Sequence, residues 1–428
     1  MDAHAQPRID SAKDPIGALI AQQGLQTPQS APPVVIGVEL REAQGRSRLM
    51  IEISDPVEVK AFTLTSPNRV VLDMPEVLWR MPEEVRPSGR GLIQSYRYGQ
   101  YRTGESRFVI DLNRPVKVGP VEVLPPQDGH SFRLQVELLP SNMEEFLANA
   151  GWPRELSAGP PAQVASLAPR PAPSGNKRLR TIVVDAGHGG IDPGTHGATG
   201  LKEKDLVLAV AQRLRQNLEA TGRYRVHLTR DGDVFVPLRE RVNIARSARG
   251  DLFISLHADS NEVRTIRGAS VYSLSEDGSD REAAKLAEKE NMSDVIAGVD
   301  LTGENSPVAS ILIDLAQRDT MNRSVRLAEN VVASLPEATP VRASTPHRAA
   351  GFAVLKAPDV PAVLVELGYL TNEQDEAEMA TDSWKRRVAA AMTAAVDRYF
   401  AAETHGAISQ PYETRKDRLS NPAFLAPY

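Results

Sequence analysis

Three short apolar runs in the second half of the chain each lead into a side chain that can bind a metal or carry a proton. The runs Thr-Ile-Val-Val-Asp-Ala, Leu-Phe-Ile-Ser-Leu and Val-Leu-Val are followed, at once or after one glycine, by His188, His257 and Glu366. Runs of this length and composition predict buried β-strands. Glycines on both sides of His188 predict a tight turn there, because glycine adopts positive φ without steric cost.

Helical patterns lie between these strands. From residue 204 to 220, apolar residues recur every four positions, which predicts one apolar stripe that packs on a sheet. Alternation of strands and helices favours an α/β domain with a mainly parallel twisted sheet flanked by helices. The expected elements are strand 181–185, helix 204–220, strand 224–230, helix 237–249, strands 251–257, 269–274 and 361–367, and helix 382–400.

The first part of the chain has a different hydropathy pattern and contains an internal repeat. Residues 47–59 align without gaps to residues 106–118, and both segments show the period-two alternation of half-buried strands. Two copies of a strand, turn and strand unit predict a small all-β, sandwich-like domain in which each copy covers the other.

This β-repeat region contains no cluster of catalytic side chains. We expect a set of exposed side chains there to bind a sugar polymer by stacking and hydrogen bonding, namely Arg90, Arg97, Tyr96, Tyr98 and Tyr101. The alternative interpretation is a solvated loop with core aromatics.

A chain of 428 residues exceeds the usual size of one hydrophobic core, so two domains are expected. A proline- and alanine-rich linker between them predicts that the two domains reorient freely. The predicted boundaries are a flexible lead-in at 1–32, the β-repeat domain at 33–140, the linker at 141–180, the α/β domain at 181–402 with a mostly helical insertion at 280–335, and a loose tail at 403–428.

Composition narrows the chemistry and the partners. The chain has no cysteine, so a metal would have to be held by His, Asp or Glu. A net charge of −5 gives no general attraction to nucleic acid. No apolar run reaches the ~20 residues that span a bilayer. The segment Ala3-His4-Ala5 has the small-x-small form of a signal-peptidase site, and we expect that a secretory signal was trimmed or its start mis-assigned; a chance match is the alternative.

A catalytic zinc ion usually has three protein ligands and one open position. His188, Glu203 and His257 meet that requirement, because the carboxyl ends of parallel strands meet in one crevice and Glu203 opens the helix after the first turn. Glu366 is then the candidate for a carboxylate that takes a proton and later delivers it. Each of the four also has an ordinary structural interpretation when taken alone.

Four segments that contain these residues, 184–190, 200–205, 254–259 and 365–370, resemble the zinc-dependent N-acetylmuramoyl-L-alanine amidases of bacterial cell division, of the amidase_3 type. The resemblance implies that His188, Glu203 and His257 bind Zn²⁺ and that Glu366 is the catalytic glutamate. It also implies cleavage of the amide between the lactyl group of N-acetylmuramic acid and L-alanine in peptidoglycan.

The β-repeat domain resembles the AMIN wall-binding module, and the two resemblances together imply a periplasmic protein. They further imply that a helix of the insertion blocks the site until an activator of the LytM type displaces it. Among the acidic residues Glu282, Glu288, Glu290 and Asp294, we expect Glu290 to occupy the open position of the zinc. An apolar patch of Ile311, Leu312 and Leu315 is expected to dock the domain or the activator.

Two other functions use the same sequence features. A metallopeptidase acting within the stem peptide would need the same ligand set, although the single-helix His-Glu-x-x-His motif is absent. A catalytically silent wall-binding activator would be expected to lack a ligand or the carboxylate, and all four are present.

Overall fold

The structure is a computed structural model that describes residues 31–65, 67–81, 89–102, 104–127, 131–151, 179–275, 278–299 and 311–404, with only the backbone of 311–317. Most of the predicted lead-in, linker and tail lies outside these residues, as do the side chains of Ile311, Leu312 and Leu315. Among the described residues, no helix is long and apolar enough to cross a membrane.

The N-terminal part is a sandwich of two β-sheets with one short helix. Its strands are β1 Val34–Ala43, β2 Arg46–Ile53, β3 Lys60–Leu64, β4 Arg69–Pro75, β5 Leu78–Trp79, β6 Ile93–Arg102, β7 Glu105–Leu112, β8 Val116–Leu124 and β9 Phe132–Pro140, followed by helix α1 Met143–Asn149. The first sheet has the order β5-β1-β2-β9-β8 and the second β3-β4-β7-β6.

The internal repeat explains this topology. Strands β2 and β7 contain the start of the two copies, and each forms a hairpin with the strand before it, β1 and β6 respectively. After each hairpin the chain crosses to the opposite sheet, so that β3–β4 pair beside β7 and β8–β9 pair beside β2. The copies thus exchange strand pairs, and their inward residues form one apolar core.

Two predictions about this domain are wrong. The linker was expected to begin at residue 141, but α1 forms there and its Phe146, 1% exposed, fills the sandwich core. Of the side chains expected to be exposed, Tyr96 and Tyr101 are buried, and Tyr96 stacks on Phe108 at 5.0 Å between ring centroids. The core-aromatic interpretation therefore applies to Tyr96.

The C-terminal part is an α/β domain, as predicted. Its strands are β10 Arg180–Ala186, β11 Tyr224–Leu228, β12 Leu252–Asp259, β13 Ser270–Leu274, β14 His347–Ala350 and β15 Ala362–Tyr369; its helices are α2 Glu203–Ala220, α3 Leu238–Ser247, α4 Arg281–Asn291, α5 Ser293–Ile296, α6 Ile311–Ser334, α7 Glu373–Met379 and α8 Asp382–Thr404. The sheet order is β11-β10-β12-β15-β13-β14. Neighbours are parallel except β13, which runs antiparallel to β15.

Both faces of this sheet are covered by apolar side chains. Helices α2, α6 and α8 pack on one face through residues such as Leu214, Val331 and Met392. On the other face, α3, α4 and a short 3₁₀ turn at 353–355 form a second apolar layer. Burial of the sheet on both sides fixes its strands and therefore the positions at which they end.

The two domains are in contact, which differs from the expectation of free reorientation. Side chains from both contribute to one apolar cluster: Phe62, Leu64, Val71, Tyr101 and Val109 from the N-terminal sandwich, and Ile191, Phe235 and Ala297 from the α/β domain.

Candidate metal centre

The candidate site lies at the carboxyl ends of three neighbouring strands, β10, β12 and β15. His188 follows β10, His257 lies near the end of β12, and Glu366 is its ladder partner on β15. Gly187 allows the first turn to approach β12, since a Cβ atom there would lie 2.4 Å from the Cε1 atom of His257. Sheet topology thus brings together residues that are far apart in the sequence.

His188, Glu203 and His257 form a buried group that could hold a metal ion, with one ligand atom from each within 4.8 Å of the others. Glu203 Oε1 lies 3.1 Å from His188 Nε2 and 3.2 Å from His257 Nδ1. Tetrahedral zinc with bonds of about 2.0–2.1 Å separates its ligand atoms by about 3.3–3.4 Å, so these spacings suit such an ion. His188 Nε2 is also buried without a hydrogen-bond partner, as expected of an atom that faces a metal.

Local contacts orient His188. Its backbone is in the left-handed region, with φ of 57°, an unusual conformation for a residue with a side chain. The Nδ1 atom lies 2.8 Å from Asp192 Oδ2, which directs Nε2 toward the other ligands. A carboxylate on the second ring nitrogen is the usual support of a metal-binding histidine.

Glu203 is the first residue of α2, and backbone N–H groups of two other segments hold its carboxylate. Its Oε1 accepts a hydrogen bond from Ala258 N at 2.9 Å, and its Oε2 accepts one from Thr195 N at 2.8 Å. These bonds fix the carboxylate between the first turn and the end of β12.

Two buried arginines shape the turn that contains His188. Arg241 donates to the carbonyl oxygens of Ala186 and His188, each at 2.8 Å, and pairs with Asp185 at 2.8 Å. Arg230 donates to the Gly187 oxygen at 2.8 Å. Buried carbonyls need such partners, and here they also hold the strained turn in one conformation.

The histidines and carboxylates of this buried group stabilise one another's charged forms. Burial lowers the pKa of His188, but Asp192, Glu203 and Glu290 raise it well above its usual value. Burial raises the pKa of Glu203, but His188 and His257 lower it well below the usual range. Buried carboxylates and imidazoles that stabilise one another in this way require either protons or a cation between them.

Glu366 lies in the interior beside this group. It is fully buried, and neither carboxylate oxygen has a hydrogen-bond partner. Burial, together with the nearby carboxylates of Asp259, Glu203 and Glu290, raises the pKa of Glu366 well above its usual value. A carboxyl group with a raised pKa is suited to accept and return a proton near neutral pH.

Of the four acidic residues considered for the open position, Glu290 is the one that reaches the site. Its Oε2 lies 3.4 Å from His188 Nε2 and 3.3 Å from His257 Nδ1. Glu288 is exposed, Glu282 pairs with Arg342, and Asp294 accepts a hydrogen bond from Leu238 N. With α4 in this place, the cavity beside the histidines measures about 10 Å³, which is room for about one water molecule.

Several other contacts hold α4 and α5 over the site. Lys289 Nζ lies 2.7 Å from Asp259 Oδ1 at the end of β12. Asn291 donates to the Gly351 oxygen at 2.9 Å. Ser293 donates to Asp192, the same carboxylate that orients His188. The inserted helices are thus tied to the shell of the candidate metal centre.

Sequence reasoning missed Asp192, Arg230, Arg241 and Ser293. Asp192 stands four residues after His188, and this spacing was the one available signal for it. The arginines act on backbone carbonyls across the fold, and a sequence pattern carries no sign of such contacts.

Two family models match this chain, and they match its two domains in the order that the sequence predicts. The family model described as N-acetylmuramoyl-L-alanine amidase matches residues 182–398, and the AMIN domain model matches residues 37–132. The chain is 34% identical to the N-acetylmuramoyl-L-alanine amidase AmiC of Escherichia coli O6:H1 over 398 residues, 90% of this chain and 94% of the relative. It is 36% identical to AmiC of Neisseria meningitidis serogroup B over 365 residues, 82% and 86% of the two chains.

Among solved structures, AmiC2 of Nostoc punctiforme is 26% identical, with 53% of this chain and 99% of that chain covered and a TM-score of 0.38. The amidase model matches half of this chain and the two AmiC relatives match 90% and 82% of it, which confirms the resemblance to the amidase_3 family and to the AMIN domain. This chain belongs to the N-acetylmuramoyl-L-alanine amidase family and is an enzyme that acts on peptidoglycan.

Proposed function

We propose that this protein is a zinc-dependent amidase that hydrolyses the bond between N-acetylmuramic acid and L-alanine in peptidoglycan. The observation that carries the proposal is the buried group of His188, Glu203 and His257 with the unpartnered carboxyl of Glu366 next to it. The histidine and carboxylate ligands, the spacing of their ligand atoms and the buried Nε2 of His188, which makes no hydrogen bond, all suit zinc.

A bound zinc ion would polarise the scissile carbonyl and acidify the attacking water. Glu366 accepts the proton from that water and passes it to the alanine nitrogen as the amide bond breaks. Asp192 keeps the His188 ring in the orientation that presents Nε2. Ala258 N and Thr195 N hold the Glu203 carboxylate in place.

Mass spectrometry of muropeptides tests the reaction. Purified zinc-loaded protein, with the insertion displaced or mutated, is incubated with sacculi. An amidase releases stem peptides that begin with a free L-alanine amine and leaves the lactyl carboxylate on the sugar. A metallopeptidase would instead cut inside the stem peptide, and a silent wall-binding activator would release nothing.

The family indicates a periplasmic or cell-wall-associated protein. We place this enzyme in the periplasm and assign it to daughter-cell separation, the process served by the division amidases that its motifs resemble. In this proposal the N-terminal domain binds peptidoglycan without cleaving it and raises the local concentration of substrate at the catalytic domain.

We further propose that α4 inhibits the enzyme. The carboxylate of Glu290 approaches both histidines, so it takes the position that water and the scissile carbonyl need. An activator of the LytM type would relieve the block by drawing α4 away from the site.

Substitution of Glu290 tests this inhibition. Glu290→Ala should raise the basal rate on sacculi about tenfold or more, because the open position is no longer filled by the protein's own carboxylate. The matched control is Glu288→Ala, which removes an exposed carboxylate from the same helix. Equal rates for wild type and Glu290→Ala, at equal zinc content, would contradict the proposal.

A further inference from the structure

The N-terminal domain presents three arginines to the segment that follows α4. They lie on the second sheet, Arg69 on β4, Arg107 on β7 and Arg97 on β6. Arg69 and Arg107 are 3% and 0% exposed, so these charges are removed from water by the contact between the domains. Buried charges of this kind need partners.

The partners are consecutive backbone carbonyls at the end of α5. Arg69 donates to the Val295 oxygen, and Arg97 donates to the Ile296 oxygen at 2.5 Å. Arg107 donates to the Ala297 and Gly298 oxygens at 3.0 and 2.9 Å. Carbonyls at a helix end lack the intrahelical donors of the helix interior. The Val295 oxygen also accepts a hydrogen bond from Gly298 N at 3.0 Å, and the guanidinium groups give all four oxygens a donor from the other domain.

Intradomain carboxylates balance part of this charge. Asp73 accepts two hydrogen bonds from Arg107, at 2.6 and 2.7 Å, and Asp111 pairs with Arg97. Burial, and then the neighbouring Arg97 and Arg107, lower the pKa of Arg69 to about 10. The carbonyl oxygens of residues 295–298 therefore give these partly balanced guanidinium groups further acceptors.

Backbone contacts bring the two domains together beside these arginines. A Cβ atom on Gly99 would lie 2.6 Å from the carbonyl carbon of Gly190, so β6 touches the turn after His188 directly. Phe235 N donates to the Gln100 oxygen at 3.3 Å. Gly298 has φ of 69°, and a Cβ there would lie 3.3 Å from Val71.

The segment that the arginines hold is continuous with the inhibitory helix. Glu290 lies at the end of α4, five residues before Val295 in the sequence. Between them, Ser293 and Asp294 bind Asp192 and the start of α3. Residues 290–298 are thus fixed to the metal centre at one end and to the N-terminal domain at the other.

We propose that the N-terminal domain is a clamp that keeps the inhibitory segment in place over the catalytic site. This inference rests on the proposed inhibition by Glu290 and assigns part of it to a second domain. The face of the second sheet binds residues 295–298, so activation requires this contact to open as well as the contacts of α4 within the α/β domain. A peptidoglycan or activator contact that pulls the domains apart would then release the enzyme.

The test uses the full chain with Arg97→Glu. This arginine is partly exposed, with 22% of its side chain accessible, and its replacement sets a carboxylate against the Ile296 oxygen and beside Asp111. The control is Arg48→Glu, which reverses a charge on the first sheet, where Arg48 pairs with Glu137 at 3.4 Å. A second variant, Gly99→Val, wedges the backbones of the two domains apart without changing charge.

Hydrogen–deuterium exchange of residues 281–299 is the first measurement, and the basal rate on sacculi is the second. Exchange should become at least about tenfold faster in both interface variants and stay unchanged in Arg48→Glu, because local opening sets the exchange rate. Unchanged exchange in both interface variants would overturn the clamp, even if Glu290→Ala activates the enzyme. Faster exchange with an unchanged basal rate would support the clamp and contradict the inhibition on which it acts.

Discussion

At the scale of single residues, the metal centre depends on each of its ligands. We predict that His257→Ala in the Glu290→Ala background abolishes tight zinc binding, because only His188 and Glu203 then remain and two ligands cannot complete a tetrahedral protein site. His227→Ala is the matched control, since His227 lies exposed on β11 of the same sheet. Zinc content of the purified proteins, measured by atomic absorption, provides the check. Stoichiometric zinc in His257→Ala would remove this residue from the ligand set.

Glu366 should be needed for turnover but not for zinc. The variant Glu366→Gln keeps the shape of the side chain and cannot take a proton, so we expect its rate to fall about 10²–10⁴-fold while zinc stays bound. The reference variant is Glu337→Gln, which changes an exposed glutamate. Both rates are measured in the Glu290→Ala background, where the basal activity is high enough to follow. A near-normal rate for Glu366→Gln would mean that another group carries the proton.

The residues that form the candidate site could be singled out from the sequence because each one follows a recognisable strand or opens a helix. His188, His257 and Glu366 end apolar runs, and parallel strand ends must meet. The supporting contacts could not be predicted in the same way. Arg241 reaches the His188 turn from α3, and only the packed fold brings the two together.

At the scale of elements, the strands and helices predicted for the α/β domain agree with the structure to within four residues at each end, since their periodicity is strong. Helix α1 was missed because it has seven residues and lies in a stretch without clear periodicity. Its single buried side chain, Phe146, packs in the sandwich core, and Thr63 on β3 donates a hydrogen bond to the Asn149 oxygen at 3.2 Å.

Helix α1 should contribute strongly to the stability of the N-terminal domain. Phe146→Ala leaves a cavity in a closed core, and we expect a loss of about 3–5 kcal/mol in the free energy of unfolding. Leu147→Ala is the control, since Leu147 is 54% exposed and should change stability little. Urea unfolding of a fragment of residues 31–151 measures the difference in stability between the two variants. Trp79, the one tryptophan of this fragment, reports the transition by its fluorescence. Equal midpoints for the two variants would show that α1 does not belong to the core.

At the scale of the whole molecule, the sequence predicts two domains and their order. It does not predict that the two domains touch. The contact uses arginines that donate to backbone carbonyls and glycines that let backbones touch. Carbonyls are common to all residues, so no side-chain pattern in residues 295–298 marks them as a binding site. The proline-rich linker predicted that the two domains move independently, and the structure instead joins the sandwich to residues 295–298, which follow the helix that we propose to be inhibitory.

This contact determines which part of the N-terminal domain is left for the proposed binding to the cell wall. In the full chain the face with Arg97 is covered, so peptidoglycan binding should use another surface of the sandwich. We therefore predict that residues 31–151 co-sediment with purified sacculi at low salt and that Arg97→Glu in this fragment leaves the bound fraction unchanged. Full-length Glu366→Gln, which does not digest the sacculi, should bind at least as well as the fragment. Failure of the wild-type fragment to pellet would show that the domain does not bind the wall. Loss of binding in Arg97→Glu alone would mean that the wall and the catalytic domain compete for the same arginine face, because a charge reversal there would then remove both contacts.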